Sequence, residues 1–520
     1  MTSPRRLLER PDDVALFDDA ATRRIERRAS AALAPHALMA RAGVALLRLA
    51  RAIAPNARSA WIAVGPGNNG GDGLMLATWL QRAGMKVGVS LVGHRAGRAL
   101  PADAAWALAQ ARDAGVVIRD DLPDASALAQ VDLAVDALLG VGQSRAPDGA
   151  MADAVALLNT LRCPLLAVDA PTGLSTDTGA QLGDVAVRAT HTLTLLTAKP
   201  GLFTGTGREL AGDLWFDDLG VEPLEDELPV ASLTGADTAA KVLPHRRHLA
   251  NKGSFGDVHV VGGAAGMVGA SLLAAHAASL AGAGRVLAHT HASDAGGALP
   301  VDVRHPELML RPLAELQAAL RDNRKATVVA GCGGGDAVAA ELPGCLAHAA
   351  RLVLDADALN AIARDASLRA LLRARGARAS ATILTPHPLE AARLLGADAK
   401  QVQADRFAAA RRIAADTGAV VVLKGSGSLV ATPDGRVAVN PTGDARLATA
   451  GTGDVLAGWI GGLWSAQPAD DDAVGLAFAV ARAAAWIHGR GGDLAHGTRL
   501  PLVAGELAAQ MARAVRSLDD

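Results

Sequence analysis

The chain has 520 residues, 50% of them apolar, with 51 basic and 53 acidic side chains giving a formal net charge of -2. That length exceeds what one hydrophobic core usually organises and predicts two domains. The balanced charge gives no electrostatic reason for a nucleic-acid or anionic-membrane partner, so the expected ligand is a small molecule. Cys163, Cys332 and Cys345 lie far apart without a CxxC pair, which argues against a disulfide framework or a zinc site and fits a reducing interior. Residues 1–10 are basic but lack the apolar core of a signal peptide, and no apolar run reaches the length of a membrane span, so a cytoplasmic location is expected.

In chain order, a helix is predicted over residues 31–53. Short β-like runs then alternate with helical stretches at residues 61–64, 87–92, 131–137 and 165–169. This pattern predicts a Rossmann-like, doubly wound parallel sheet with ligands across the carboxyl ends of its strands. The glycine-rich GPGNNGGDG of residues 65–73 follows the first of these runs. It does not match GxGxxG cleanly and lacks the Lys-Ser/Thr ending of a P-loop. Its bare N–H groups suit an anion, while Asn68, Asn69 and Asp72 add oxygens suited to a cation. A structural glycine-rich turn remains the alternative for this motif alone. Asp136 in VDALLGVG and Asp169 in VDAPTG each place a carboxylate at the tip of an apolar strand, where burial demands a cation or hydrogen-bond donors. Each alone also reads as a helix cap.

Residues 219–243 are rich in Asp, Glu and Pro without a sustained period, and they mark the boundary between expected domains 1–228 and 229–520. A second alternating series follows, with β-like runs at 258–261, 327–330, 352–354, 382–384 and 420–423 and helical patterns at 270–283 and 454–464. Polar groups again follow successive strands: Asp355 to Asn360, then Thr385-Pro386-His387-Pro388, then Lys424 to Ser428. Histidine between prolines has a fixed backbone, although a lone histidine is more often structural and Lys424 alone reads equally as a surface charge. The strongest signal is Ala450-Gly451-Thr452-Gly453-Asp454 before an apolar helix. Backbone N–H groups at such a helix start form an anion hole for a phosphoryl group, with Asp454 close enough to accept a hydroxyl proton.

Together NNGGDG, DALLGVG and VDAPTG resemble the YjeF amino-terminal domain, the NAD(P)H-hydrate epimerase family, over residues 1–220. The resemblance implies that Asn69, Asp136 and Thr172 bind a potassium ion, Thr172 standing where the family usually has serine. It also implies that Asn68, Asn69, Gly70, Gly71, Asp72, Gly140, Val141, Gly142, Gln143, Ser144, Arg145, Ala146 and Asp169 hold the hydrated nicotinamide nucleotide, with Asp169 assisting inversion at C6.

Over residues 243–512, NKGSFGDVHVVGG, HPELML, DADALN, TPHPLEAARLL, LKGSGS and ATAGTGDVLAG occur in order. They resemble the ribokinase-like superfamily and, within it, ADP-dependent NAD(P)H-hydrate dehydratases. By that resemblance Ala270, Gly333, His387 and Asp454 contact the hydrate, Lys424, Gly425, Ser426, Gly427 and Ser428 the adenosine nucleotide, and Gly453 the phosphate, with Asp454 as base. Leu389 stands in place of the glycine usual in HPGE, and residues 331–335 read GCGGG in place of GPGLG.

The combined resemblance implies epimerisation of R and S forms of NADHX and NADPHX and dehydration of the S form, with ADP as cosubstrate and magnesium in the second half, yielding AMP and phosphate. A homo-oligomer is expected. The rival reading is a ribokinase-like vitamin-precursor kinase carrying a noncatalytic nucleotide-binding domain.

Overall fold

The computed structural model describes residues 4–8, 11–94, 99–223, 226–294, 301–323, 325–378, 380–495 and 500–519. It divides into two compact units, one of Val14–Ala231 with the first ten residues, the other of Ser232–Asp520 with Pro11–Asp13. Within the expected boundary segment the chain forms a strand, Ala231–Leu233, and a helix, Ala236–Ala240. Asp13 belongs with the second unit because its carboxylate accepts from Gly235 N at 2.8 Å and pairs with Arg482. Among the described residues no single helix is long and apolar enough to cross a membrane.

The first unit holds a sheet ordered Arg5–Arg6, Asp213–Asp217, His191–Leu195, Leu165–Val168, Leu133–Ala137, Ser59–Val64, Lys86–Leu91, Val117–Arg119. Every pairing is parallel except that of Arg5–Arg6 with Asp213–Asp217. Alternation decides which side each residue serves: Ile62, Val64 and Val135 enter one core, Trp61, Ala63 and Ala134 the other. From Ser59–Val64 the chain runs outward through Lys86–Leu91 and Val117–Arg119, then returns to Leu133–Ala137 on the other side. Strand order therefore reverses at Ser59–Val64, and the carboxyl ends there splay into a crevice.

Where one helix over 31–53 is expected, the structure has two, Asp19–Ala32 and Ala37–Ile53, broken at His36 with φ +64°. The first is too rich in arginine for its narrow apolar stripe, Ala21, Ile25 and Ala29, to stand out from sequence. The expected sheet also lacks four strands that form, Arg5–Arg6, Val117–Arg119, His191–Leu195 and Asp213–Asp217.

The second unit's sheet is ordered Met309–Arg311, Arg285–Thr290, Asp257–Gly262, Thr327–Ala330, Arg351–Leu354, Thr382–Leu384, Val420–Leu423, Leu429–Ala431, Val437–Val439, Ala231–Leu233. Its pairings are parallel apart from the two made by Leu429–Ala431. The order reverses at Asp257–Gly262, which again opens a crevice at carboxyl ends. Helix Thr452–Ser465 starts at that end of the sheet, beside Lys424 and Asp355, and runs along the sheet to the amino end of Arg351–Leu354, packed on helix Val268–Leu280. Small residues let the two backbones nearly touch: a Cβ on Gly458 would lie 2.0 Å from the Ala274 carbonyl oxygen, and one on Gly462 would lie 2.2 Å from that of Ala278. Trp459 and Trp464, each 1% exposed, fill the space beneath.

Gly458→Val forces these helices apart, and overpacking of this kind costs about 1–3 kcal/mol. The denaturant midpoint of the second unit should fall accordingly; an unchanged midpoint would show that the helices have room to separate freely.

Candidate functional sites

In the first unit the crevice is built from three strand ends. The turn after Ser59–Val64 must be glycine at Gly65, because a Cβ there would sit 1.9 Å from the Leu138 carbonyl oxygen. Helix Asn68–Arg82 then begins at Gly67 with no side-chain cap, which leaves its first N–H groups for a ligand. Beside it lies a cavity of about 410 Å³ lined by Asn68, Asn69, Asp72, Gly140, Val141, Asp169, Lys199 and Glu26, among others.

Six sequence-predicted residues are thus brought together, while Gly70, Gly71, Gly142, Gln143, Ser144, Arg145 and Ala146 do not line this cavity. Gly70 and Gly71 are buried in the helix. Gln143 is engaged as a bracket: its Nε2 donates to the Leu139 and Pro171 carbonyls at 3.2 Å each, and its Oε1 accepts from Gly173 N at 2.7 Å. Ser144, Arg145 and Ala146 are exposed.

Asp136 is fully buried and accepts from Thr172 N and Thr172 Oγ1 at 2.8 Å each and from Leu138 N at 3.1 Å. Burial pushes its carboxyl up to about 6 despite these donors. Thr172 Oγ1 also lies 3.4 Å from the Leu139 carbonyl oxygen. The Asn69 amide packs on Gly140, and its buried Nδ2 has no partner among the described residues. The donors gathered by Asp136, Thr172 and Leu139, with the Asn69 amide oxygen in addition, are all oxygen. That set fits a hard cation.

Asp169 follows Leu165–Val168 with φ +66°, a left-handed conformation uncommon outside glycine that carries backbone strain. The strain turns its carboxylate onto Lys199, with Leu195 N donating to the same Oδ1 at 3.1 Å. Lys199 is 1% exposed and also donates to the Leu195 carbonyl at 2.6 Å. Asp72 is pushed well above the carboxylate range by burial, then by the Asp169 and Glu26 charges. Glu26 is raised by burial and by Asp169. One wall therefore carries a lysine-paired carboxylate and another a carboxyl group biased toward its acid form.

In the second unit, Asp355 Oδ1 accepts from Lys424 Nζ and from Thr385 Oγ1 at 2.7 Å each. Burial lowers the Lys424 pKa, but Asp355 and Glu390 outweigh it and hold the ammonium above its usual value. The backbone at Lys424 is held by buried Arg406, which donates to the Leu423 and Lys424 carbonyls at 3.2 and 3.3 Å. The ammonium faces Gly453, where a Cβ would sit 3.1 Å from Nζ. Gly451, at φ +92°, starts helix Thr452–Ser465 without a side-chain cap, so its free N–H groups and Lys424 form one electropositive corner. Asp454 lies in that first turn. Burial and then Asp355 push it up to about 6, against the pull of Cys332 and Lys424.

Lys424 thus faces the start of helix Thr452–Ser465, and Ser428 Oγ donates to the Gly425 carbonyl at 3.2 Å. Ala270 and Gly333 adjoin, since a Cβ on Gly333 would lie 2.9 Å from that of Ala270. His387 caps helix Pro388–Leu395: Nδ1 accepts from Leu389 N at 3.1 Å and Glu390 N at 3.4 Å, and Glu390 Oε2 accepts from His387 N at 2.8 Å. Leu389 supplies only its N–H and leaves its side chain 48% exposed, so replacing the usual glycine leaves the cap intact.

The sequence reading missed Glu26, Lys199 and any role for Cys332. Lys199 follows a strand as Lys424 does, but that strand, His191–Leu195, alternates threonine with leucine and is not among the expected ones. Glu26 sits on the helix that was not predicted.

Residues 258–513 match the family model described as NAD(P)H-hydrate dehydratase, and residues 35–201 the one described as YjeF-related protein N-terminus. The chain is 34% identical over 461 residues to the bifunctional NAD(P)H-hydrate repair enzyme Nnr of Escherichia coli K12, spanning 87% of this chain and 85% of that protein. It is 37% identical over 484 residues to the corresponding protein of Moorella thermoacetica, spanning 88% and 87%. A crystal structure of the ADP/ATP-dependent NAD(P)H-hydrate dehydratase from Bacillus subtilis, co-crystallised with ATP/Mg2+, is 27% identical and covers 54% of this chain and 97% of that one, with a TM-score of 0.43.

Lys199→Met leaves the Asp169 carboxylate buried without its cation, a change that costs about 3–5 kcal/mol. Adding Asp169→Asn removes the stranded charge and should recover most of that loss in urea unfolding. Equal destabilisation of the single and double variants would locate the cost elsewhere.

Proposed function

The chain belongs to the bifunctional NAD(P)H-hydrate repair enzyme family, and from that membership we infer how its two sites divide the work. The first interconverts the R and S hydrates of NADH and NADPH, and the second dehydrates the S form with ADP. The observation that carries this division is that each crevice has its own charge arrangement: an oxygen-lined pocket with paired acid and base in the first unit, and a base beside a phosphate-binding helix start in the second.

In the first unit Asp169, steered by Lys199, takes the proton of the C6 hydroxyl as the C6–N1 bond opens to an aldehyde and Asp72 in its acid form protonates N1; rotation about C5–C6 and reclosure, with both protons returned, give the other epimer. Asn68 and the N–H groups of helix Asn68–Arg82 orient the nucleotide phosphates. Asp136, Thr172, the Leu139 carbonyl and Asn69 would hold potassium, which when bound would supply a fixed positive charge at this site.

In the second unit Asp454 takes the C6 hydroxyl proton as that oxygen attacks the terminal phosphorus of ADP, and the bond from phosphorus to the bridging oxygen breaks to give AMP. Lys424 and the N–H groups at Gly453 stabilise the charge on the transferring phosphoryl group, to which magnesium carried by the nucleotide phosphates would add further positive charge. Phosphate is a far better leaving group than hydroxide, so loss of the C5 proton and departure of phosphate restore the dihydronicotinamide. Gly425 to Ser428 hold the adenosine part, and Ala270, Gly333 and His387 contact the hydrate.

Asp454→Asn should keep ADP binding while slowing dehydration of purified S hydrate by about 10²–10⁴, the usual loss on removing a general base. In the unaltered enzyme that rate should fall below about pH 6, because Asp454 must be ionised to act and its carboxyl is held at about 6. Near-normal turnover of Asp454→Asn would remove it from the mechanism, and a stable phosphorylated product would point to a kinase.

Asp136→Ala should slow R-to-S exchange and blunt its response to potassium, with dehydration of S hydrate unchanged. Loss of both activities in equal measure, in protein shown to be folded, would contradict two separate sites.

A further inference from the structure

Cys332 is fully buried immediately beyond strand Thr327–Ala330, between Gly331 at φ +116° and Gly333 at φ +59°. The turn is clamped on both sides. Gly331 N donates to the Val261 carbonyl at 3.0 Å, Gly263 N to the Cys332 carbonyl at 3.1 Å, and Ala264 N to the Gly333 carbonyl at 2.7 Å. The side chain therefore has little freedom to turn away. Its Sγ, a carboxylate oxygen of Asp355 and one of Asp454 all lie within 4.8 Å of one another.

Of those two carboxylates, Asp355 already takes Lys424 and Thr385 on Oδ1. Asp454 has the greater need of a donor. The other charged groups acting on Asp454 are Asp355 and Asp357, which disfavour its ionised form, and Lys424, which favours it. His488, buried on helix Ala473–Leu494, spends its Nε2 on the Thr452 carbonyl at 3.0 Å. Burial and the adjacent Asp454 and Asp355 charges hold the thiol of Cys332 well above its usual range, so it stays a neutral S–H donor and a poor nucleophile.

We propose that Cys332 is a positioning residue for dehydration: its S–H donates a hydrogen bond to the Asp454 carboxylate, aiming that base and favouring its charged form. This rests on the reading of Asp454 as the base. The position is one where the chain departs from the GPGLG of the family it resembles, and the cysteine there gives the turn a donor that proline lacks.

The test compares Cys332→Ala, Cys332→Ser and Asp454→Asn in the full-length enzyme, with purified S hydrate and ADP, recording kcat and KM against pH together with thermal unfolding. Cys332→Ala should move the acid limb of kcat upward by about one pH unit, which is about a tenfold loss below the limb, with the ADP KM little changed. Cys332→Ser, which keeps a donor in nearly the same volume, should restore the limb. An unmoved limb in Cys332→Ala beside an inactive Asp454→Asn overturns the role of Cys332 while sparing that of Asp454. A loss equal at every pH, or a serine variant as impaired as the alanine one, also overturns it by showing a packing role. An active Asp454→Asn overturns both readings.

Discussion

Both units are organised by the need to stabilise aspartates buried at the carboxyl ends of parallel strands. A carboxylate withdrawn from water loses hydration that only a cation or several donors can replace. Asp169 meets this need with Lys199, and Asp355 with Lys424. In each case the lysine follows another strand of the same sheet, His191–Leu195 in one and Val420–Leu423 in the other. The pairs thus tie together strand ends that would otherwise repel an aspartate. They also leave an ammonium facing the crevice, and each crevice is bordered by a helix whose first turn has no side-chain cap. Two sheets of different strand order arrive at the same electrostatic solution because the constraint is the same.

Close backbone approach is what brings those charges within range. Helix Thr452–Ser465 seats Asp454 against Lys424 and Cys332 only because Gly458 and Gly462 let it lie on the Ala274 and Ala278 carbonyls. In the first unit Gly65 performs the equivalent service by letting the turn before helix Asn68–Arg82 rest on Leu138. The glycines are therefore as necessary to the chemistry as the charged residues, although none of these three is placed to touch a reacting atom.

How far this was legible in the sequence depended on whether a residue's strand or helix announced itself. Val420–Leu423 is a continuous apolar run and Thr382–Leu384 a short buried one opened by threonine, so the positions of the polar residues after them, Lys424 and His387, are legible in the sequence. His191–Leu195 alternates threonine with leucine and passed unnoticed, so Lys199 was lost with it. Glu26 was hidden by the arginines around it. For residues 142–146 the loop after Asp136 suggests ligand contact, while in the structure Gln143 bonds to the backbone, Gly142 lies against Arg23, and Ser144, Arg145 and Ala146 are exposed. Pairing of Lys199 with Asp169 is a contact across 30 positions, and no local pattern encodes it.

Asp136 and Asp454 show why similar acidity can serve different ends. Both carboxyls are raised to about 6, and burial is the main cause for each. For Asp136 the opposing influences are hydrogen bonds from Thr172 and Leu138, neutral donors on a rigid turn that hold the carboxylate in place without neutralising it. Its charge remains available to a cation, and a fixed cation site is what such a residue can best provide. For Asp454 the surroundings are charged, with Asp355 pushing the pKa up and Lys424 pulling it down. A phosphoryl group entering between Lys424 and Gly453 would engage the ammonium and weaken its pull on Asp454, so the base would gain proton affinity when its substrate is in place. The neutral frame around Asp136 lacks that response, and this difference in surroundings separates a residue suited to holding an ion from one suited to moving a proton.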